Sequence, residues 1–196
     1  PFGWKHRVSN LDGAQYQIDF THSSSGIQNT VPILLLASYF ANDLDLTGSF
    51  NRALLSTVSD LGKLTEFRPI SDTDTLSKRI FFHVEEPELG LFPNAQCDLL
   101  NRLIVLGSGE DRNPIRFMMT THSPYILNHL NLLIKAHDTN NTEFTNGARL
   151  DFDKIAAYHV TDGGIDDLKM ADNRLIDTNA LSDAINVIYN RYEELT

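Results

Sequence analysis

Apolar and polar positions alternate in blocks along this chain, and each block has its own period. Tyr16, Ile18 and Phe20 alternate with polar neighbours, as on a half-buried strand. Asp12-Gly13 ahead of them is a favoured tight-turn pair, so residues 1–20 are expected to form a hairpin. Ile27 to Ala41 is apolar and long enough for a helix. Ser25-x-x-Gln28 opens it at capping-box spacing, and Pro32 disturbs it by removing one helical hydrogen bond. Residues 42–78 are mixed, with a helical stretch over 50–62 and a polar loop over 67–77. Arg79 to Val84 is a compact run of bulky apolar residues broken by His83, the pattern of a strand covered on both faces in a parallel sheet.

Asn94 to Leu106 follows Pro93 and carries Leu99, Leu100, Leu103, Ile104 and Leu106 at helical spacing. Ile115 to Thr120 predicts a second strand. Ser123-Pro124 supplies a cap and a first-position proline for a helix running to about Leu133. Lys135 to Arg149 is polar and reads as a loop. Ile155 to Val160 predicts a third strand, Gly163-Gly164 a turn, Ile165 to Lys169 a partner strand, and Asn179 to Glu194 a closing amphipathic helix. The alternation of strand and helix through the middle predicts an α/β protein with a mainly parallel sheet, flanking helices and a terminal hairpin.

Composition narrows the class. The chain has 196 residues, enough for one large domain, and a formal charge of −10. That balance argues against a broad non-specific grip on nucleic acid. The longest mostly apolar stretch, Val31 to Ala41, falls short of the ~20 residues of a membrane span, so no membrane association is expected. Cys97 is the only cysteine, which excludes an internal disulfide framework and fits a reducing, cytoplasmic setting.

Three segments carry chemistry. Ser24-Ser25-Gly26-Ile27-Gln28 places hydroxyls, a glycine and free backbone N–H groups at an expected helix N-terminus: an anion site, or an ordinary capped helix. In Phe81-Phe82-His83-Val84-Glu85-Glu86-Pro87-Glu88-Leu89, two adjacent carboxylates end an apolar strand. Charge is costly there unless it meets a cation or faces a crevice. Strand alternation separates the pair, so one can reach a hydrated Mg²⁺ while the other orients or deprotonates a water. An acidic surface turn is the plainer alternative. In Phe117-Met118-Met119-Thr120-Thr121-His122-Ser123-Pro124-Tyr125, His122 stands where a strand gives way to a helix, able to contact a phosphate or a water, or simply to hold a loop. His6, His22, His83, His129, His137 and His159 form no pair at convincing metal-ligand spacing.

In this order the three segments resemble the nucleotide-binding heads of ABC-type ATPases, in the AAA-type branch near the SMC and OLD (overcoming lysogenization defect) proteins. The 81–89 segment is similar to their Walker B strand, where this branch often reads Glu-Glu-Pro-Glu. Ser24 to Gln28 looks like their signature motif, with Ile27 in place of a usual second glycine, and Thr120 to Pro124 looks like their switch-histidine loop. The resemblance implies that Glu85 coordinates Mg²⁺, that Glu86 polarises the attacking water and that His122 senses the γ-phosphate. It implies that Ser25, Gly26 and Gln28 contact ATP held by the opposite protomer of a sandwich homodimer. Leu89 to Phe92 would cross that interface, although Gly90 and Phe92 replace residues that relatives often have as polar. A DNA or nuclease partner, in DNA repair or phage defence, is the corresponding family-level expectation, although no nuclease signature is present in this sequence.

The phosphate loop of such ATPases, Gly-x-x-x-x-Gly-Lys-Ser/Thr, is missing. The one Gly-Lys pair, Gly62-Lys63, is followed by Leu64 and has Thr57 where the first glycine belongs. In the family this loop precedes the signature motif, so it is expected before Pro1. Residues 1–196 then form a single partial nucleotide-binding domain: a hairpin (1–20), the signature motif and its helix (21–41), an insert (42–78), the Walker B and switch-histidine region (79–134), and C-terminal strands with a helix (151–196). Alone it is expected neither to bind ATP tightly nor to turn it over appreciably. The alternatives are a non-catalytic regulatory or interaction module, and a metal-dependent hydrolase built on Glu85, Glu86 and His122.

Overall fold

A pair of parallel strands with helices packed against one side organises the molecule. The computed structural model describes residues 6–9, 17–69, 71, 79–109 and 113–195. β1 (Arg7–Ser9) pairs antiparallel with β2 (Gln17–Asp19), as the hairpin expectation requires, while the Asp12-Gly13 turn lies outside the described residues. After a short 3₁₀ turn come α1 (Ser25–Ser38), a π-helical turn over Tyr39–Asp43, and α2 (Leu46–Asp60) in the segment read as an insert. β3 (Ile80–Glu85), α3 (Pro93–Gly107), β4 (Ile115–Thr120) and α4 (Pro124–Asp138) follow. The C-terminal part holds β5 (Tyr158–Thr161), β6 (Gly164–Asp167), the short β7 (Lys169–Met170) and β8 (Leu175–Ile176), and α5 (Asn179–Glu193).

The α/β class holds, but the sheets are small. Each described sheet has two strands, and only β3–β4 is parallel. The strand expected over 155–160 starts at Tyr158 and turns back on β6 as an antiparallel hairpin. Asp162-Gly163 makes that turn with Gly163 at φ +94°, and a tight local turn closes at far lower entropic cost than a crossover to β3 or β4. α4 runs past the expected Leu133 because Leu133, Ile134 and Ala136 are buried and because Lys135 and His137 suit its C-terminal end.

Three apolar clusters hold these pieces. Ala37 of α1 meets Leu99 and Leu103 of α3 over Phe82 and Phe117 of the parallel strands. Leu100, Ile126 and Leu133 join α3 to α4, and Ile134, Phe152, Leu168 and Ile176 form the C-terminal core. Phe40, Phe82 and Phe117 stack edge-on, with centroids 5.9 and 5.7 Å apart. Asn113 fastens the π-helical turn beside them, its side chain donating to the carbonyls of Phe40 (2.9 Å) and Leu44 (2.8 Å). The other side of the parallel pair is bare: Phe81, His83, Glu85, Arg116, Met118 and Thr120 are all exposed. Parallel strands usually have both faces covered.

His129 is buried between α3 and α4, with Nε2 2.7 Å from Asn101 Oδ1. Burial pushes its imidazole below the ordinary range, against an opposing pull from Asp98. The unfolded chain therefore takes up this proton more readily than the folded one, and stability falls as the pH drops through about 6.5. Denaturant unfolding followed across that window is expected to show the loss, and His129→Gln is expected to flatten it. An unchanged slope in the variant would assign the effect to other groups.

Candidate functional site

The site begins with the register of β3 on β4. Glu85 lies opposite Thr120, and the Glu86 N–H donates to the Thr120 carbonyl at 2.9 Å, so the ladder continues one residue past the strand. Glu86 then takes a left-handed conformation, φ +43°, uncommon for a residue with a side chain. The chain folds back through two consecutive turns, Leu89 N–H to the Glu86 carbonyl and Leu91 N–H to the Glu88 carbonyl. Pro87 is buried at the bend. β4 ends in the Thr121-His122-Ser123 loop, and Ser123 caps α4 by accepting from the N–H groups of Tyr125 and Ile126.

This geometry brings two of the expected residues together. His122 Nε2 lies 3.7 Å from Glu86 Oε1, with the imidazole largely exposed and the carboxylate half-exposed. Glu85 is exposed on the bare side of the strands. Among the described residues no three His, Cys, Asp or Glu side chains cluster tightly enough to cage a metal ion. The donors present fit Mg²⁺ in a narrower sense: an exposed carboxylate at a strand tip can supply one ligand to an ion that takes the rest from phosphates and water.

The Ser24–Gln28 segment departs from the expectation by one residue. Ser24, not Ser25, is the N-cap, accepting from the Ile27 N–H at 3.4 Å. Gln28 does not close a capping box. Its amide instead donates to the carbonyls of Ser23 (2.8 Å) and Thr21 (3.2 Å), tying down the loop before the helix. Ser25 is exposed at the first turn. Gly26 is buried, and a β-carbon there would run into the Gly90 carbonyl oxygen. The bare α-carbon expected to admit a phosphate thus admits the loop after β3. Gly90 has φ +75°, and a β-carbon on it would lie 2.7 Å from Ser25 Oγ. That contact is the physical reason this loop has glycine where a polar residue was anticipated.

Residues the sequence reading left out bind these parts into one unit. Asn29 donates to the Leu89 carbonyl at 3.2 Å. Gln96 donates to the Leu91 carbonyl and accepts from the Ser123 hydroxyl. Glu88 accepts through Oε1 from the His122 N–H at 2.7 Å and from Thr121 Oγ1 at 2.9 Å. The signal for Glu88 stood in the motif itself, a third carboxylate just past a proline that reverses the chain.

Fold and site define an α/β protein with paired acidic residues and an imidazole at adjoining tips of parallel strands, beside a helix N-terminus rich in hydroxyls. Residues 5–127 match the family described as AAA ATPase domain, so the chain belongs to that family, whose chemistry is the binding and hydrolysis of ATP. No curated protein matches the chain, and no solved structure does. No helix among the described residues is long and apolar enough to cross a membrane.

Proposed function

We propose that this chain is the C-terminal part of an ABC/SMC-like, OLD-like ATPase head, working with a phosphate loop supplied by residues outside this sequence. The observation that carries the reading is the 3.7 Å approach of His122 Nε2 to Glu86 Oε1, at the ends of two strands paired in parallel register. Hydrolysis of a terminal phosphate needs a water polarised on one side and the developing phosphate charge met on the other. Glu86 accepts from the water. His122 holds its imidazole toward the phosphate and close to Glu86. Glu85 provides a carboxylate ligand for Mg²⁺, which, when bound with the nucleotide, neutralises charge on the transferred phosphoryl group. Ser25 and the first-turn N–H groups of α1 meet the nucleotide of the opposite protomer in a sandwich homodimer. Gly26 and Gln28 act there by fixing the helix start against the loops beside it.

The likeness to SMC and OLD proteins further suggests a cytoplasmic protein that couples ATP to DNA or to a nuclease partner, in repair or phage defence. The division of labour is tested first by phosphate release. The chain alone is expected to give no turnover above background, because its sequence has no Gly-x-x-x-x-Gly-Lys-Ser/Thr loop to cradle the β- and γ-phosphates. The coding sequence around these residues, or a co-expressed partner, is expected to contain Gly-x-x-x-x-Gly-Lys-Ser/Thr. Robust Glu86-dependent turnover by the chain alone would overturn the division. Absence of the motif from both places would leave a non-catalytic interaction module.

A further inference from the structure

We infer that Glu88 is the positioning residue that sets His122 against Glu86, a role that deepens the proposed hydrolytic site and rests on it for its catalytic meaning. His122 stands exposed just past the end of β4. Its imidazole is almost free of protein contact, with a side chain 86% exposed, so packing does not hold it in place. What fixes the residue is its backbone. The His122 N–H donates to Glu88 Oε1 at 2.7 Å, short as expected for a charged acceptor. The same oxygen accepts from Thr121 Oγ1 at 2.9 Å, and Thr121 Oγ1 in turn accepts from the Ser123 N–H at 3.0 Å. One carboxylate oxygen thus organises three consecutive residues of the β4–α4 loop.

Glu88 is itself held. It follows Glu86 by two residues, and its own carbonyl accepts from the Leu91 N–H at 2.9 Å. The strained Glu86 backbone and the Glu88 side chain are therefore parts of one turn, and displacement of either displaces the imidazole relative to the Glu86 carboxylate. A second feature marks the position as more than a convenient cap. Glu88 Oε2 is buried with no hydrogen-bond partner. A buried unsatisfied carboxylate oxygen is costly, and a residue chosen for stability alone would not leave one.

The test uses this chain and does not depend on ATP. Backbone amide exchange and the amide proton resonances of His122 and Ser123 are measured in wild type, Glu88→Ala and Glu88→Gln. Glu88→Ala is expected to speed exchange at His122 roughly tenfold or more, the loss of a hydrogen bond to a charged acceptor. Core amides of β3 and α3 are expected to keep their rates. Glu88→Gln keeps an acceptor in place and is expected to restore much of the protection. Unchanged exchange at His122 in Glu88→Ala overturns the inference, as does acceleration spread evenly over the chain, which marks a residue of general stability. If these amides respond while Glu86→Gln leaves ATP hydrolysis by a complete head intact, the positioning role stands and the hydrolytic reading falls.

Discussion

Replacing Glu86 by glutamine, in a head that also carries a phosphate loop, is expected to lower ATP turnover by about 10²–10⁴-fold, the usual worth of a positioned general base. The substitution removes little else. Glu86 is half-exposed at the end of β3, and glutamine adopts φ +43° at no greater cost than glutamate. Surface changes of this kind usually move stability by no more than about 0.5 kcal/mol. In the proposed mechanism, what goes is the capacity to take a proton from, or polarise, the water beside the terminal phosphate. Nucleotide binding should persist, and if the proposed sandwich homodimer is dissolved by hydrolysis its dimers should last longer in the variant. Phosphate release together with size-exclusion chromatography in ATP reads both effects. Turnover within a few-fold of wild type would remove Glu86 from the mechanism. His122→Ala is expected to act in the same direction.

Gly26→Val is expected to be the most damaging single change to the architecture of the site. A β-carbon at Gly26 meets the Gly90 carbonyl and comes within 2.9 Å of Leu91 Cδ2 before valine's two methyl groups are added. Backbone cannot swing aside as a flexible side chain can. Either α1 lifts from the loop after β3, or that loop moves and takes Glu88 and the Thr121–Ser123 loop with it. Overpacking of this severity costs roughly 3 kcal/mol, the upper part of its usual range. Thermal melting should report the loss. Heteronuclear NMR should show shifts at Asn29 and Leu89, whose hydrogen bond spans the contact, and also at His122, which is far away in sequence. A melting temperature close to wild type would mean that the two segments do not abut in solution.

The middle of this fold was legible from its residues because local and global preferences agree there. Ile115–Thr120 predicted a strand with the observed bounds, and Pro93 and Ser123-Pro124 marked helix starts that the structure keeps. Legibility fails where one residue decides among near-equal options. Ser24 and Ser25 are equally good caps in isolation, and the choice of Ser24 follows from where Gly26 must lie against Gly90. The hairpin at Tyr158–Asp167 follows the expected strand, turn and partner strand, but the expected mainly parallel sheet does not appear among the described residues, because the order of strands across a sheet is not written in the period of any one of them. Glu85, Glu86 and His122 were visible as chemistry at strand ends, and the approach of His122 to Glu86 follows from β3–β4 pairing. Glu88 stood in the same motif but its role did not, and Asn29 was not visible at all, because a side chain that works through backbone groups leaves no pattern of spacing.

The bare side of β3–β4 has a consequence for the acidic pair at its end. A ladder of two strands has no inner member, and its stiffness comes from α1 and α3 pressed against Phe82, Phe117 and Met119. Until something lies across Phe81 and Met118, Glu85 and Glu86 stand on a plank clamped along one side only. Their alignment will then depend on temperature and on mild denaturant more steeply than the melting of the helices suggests.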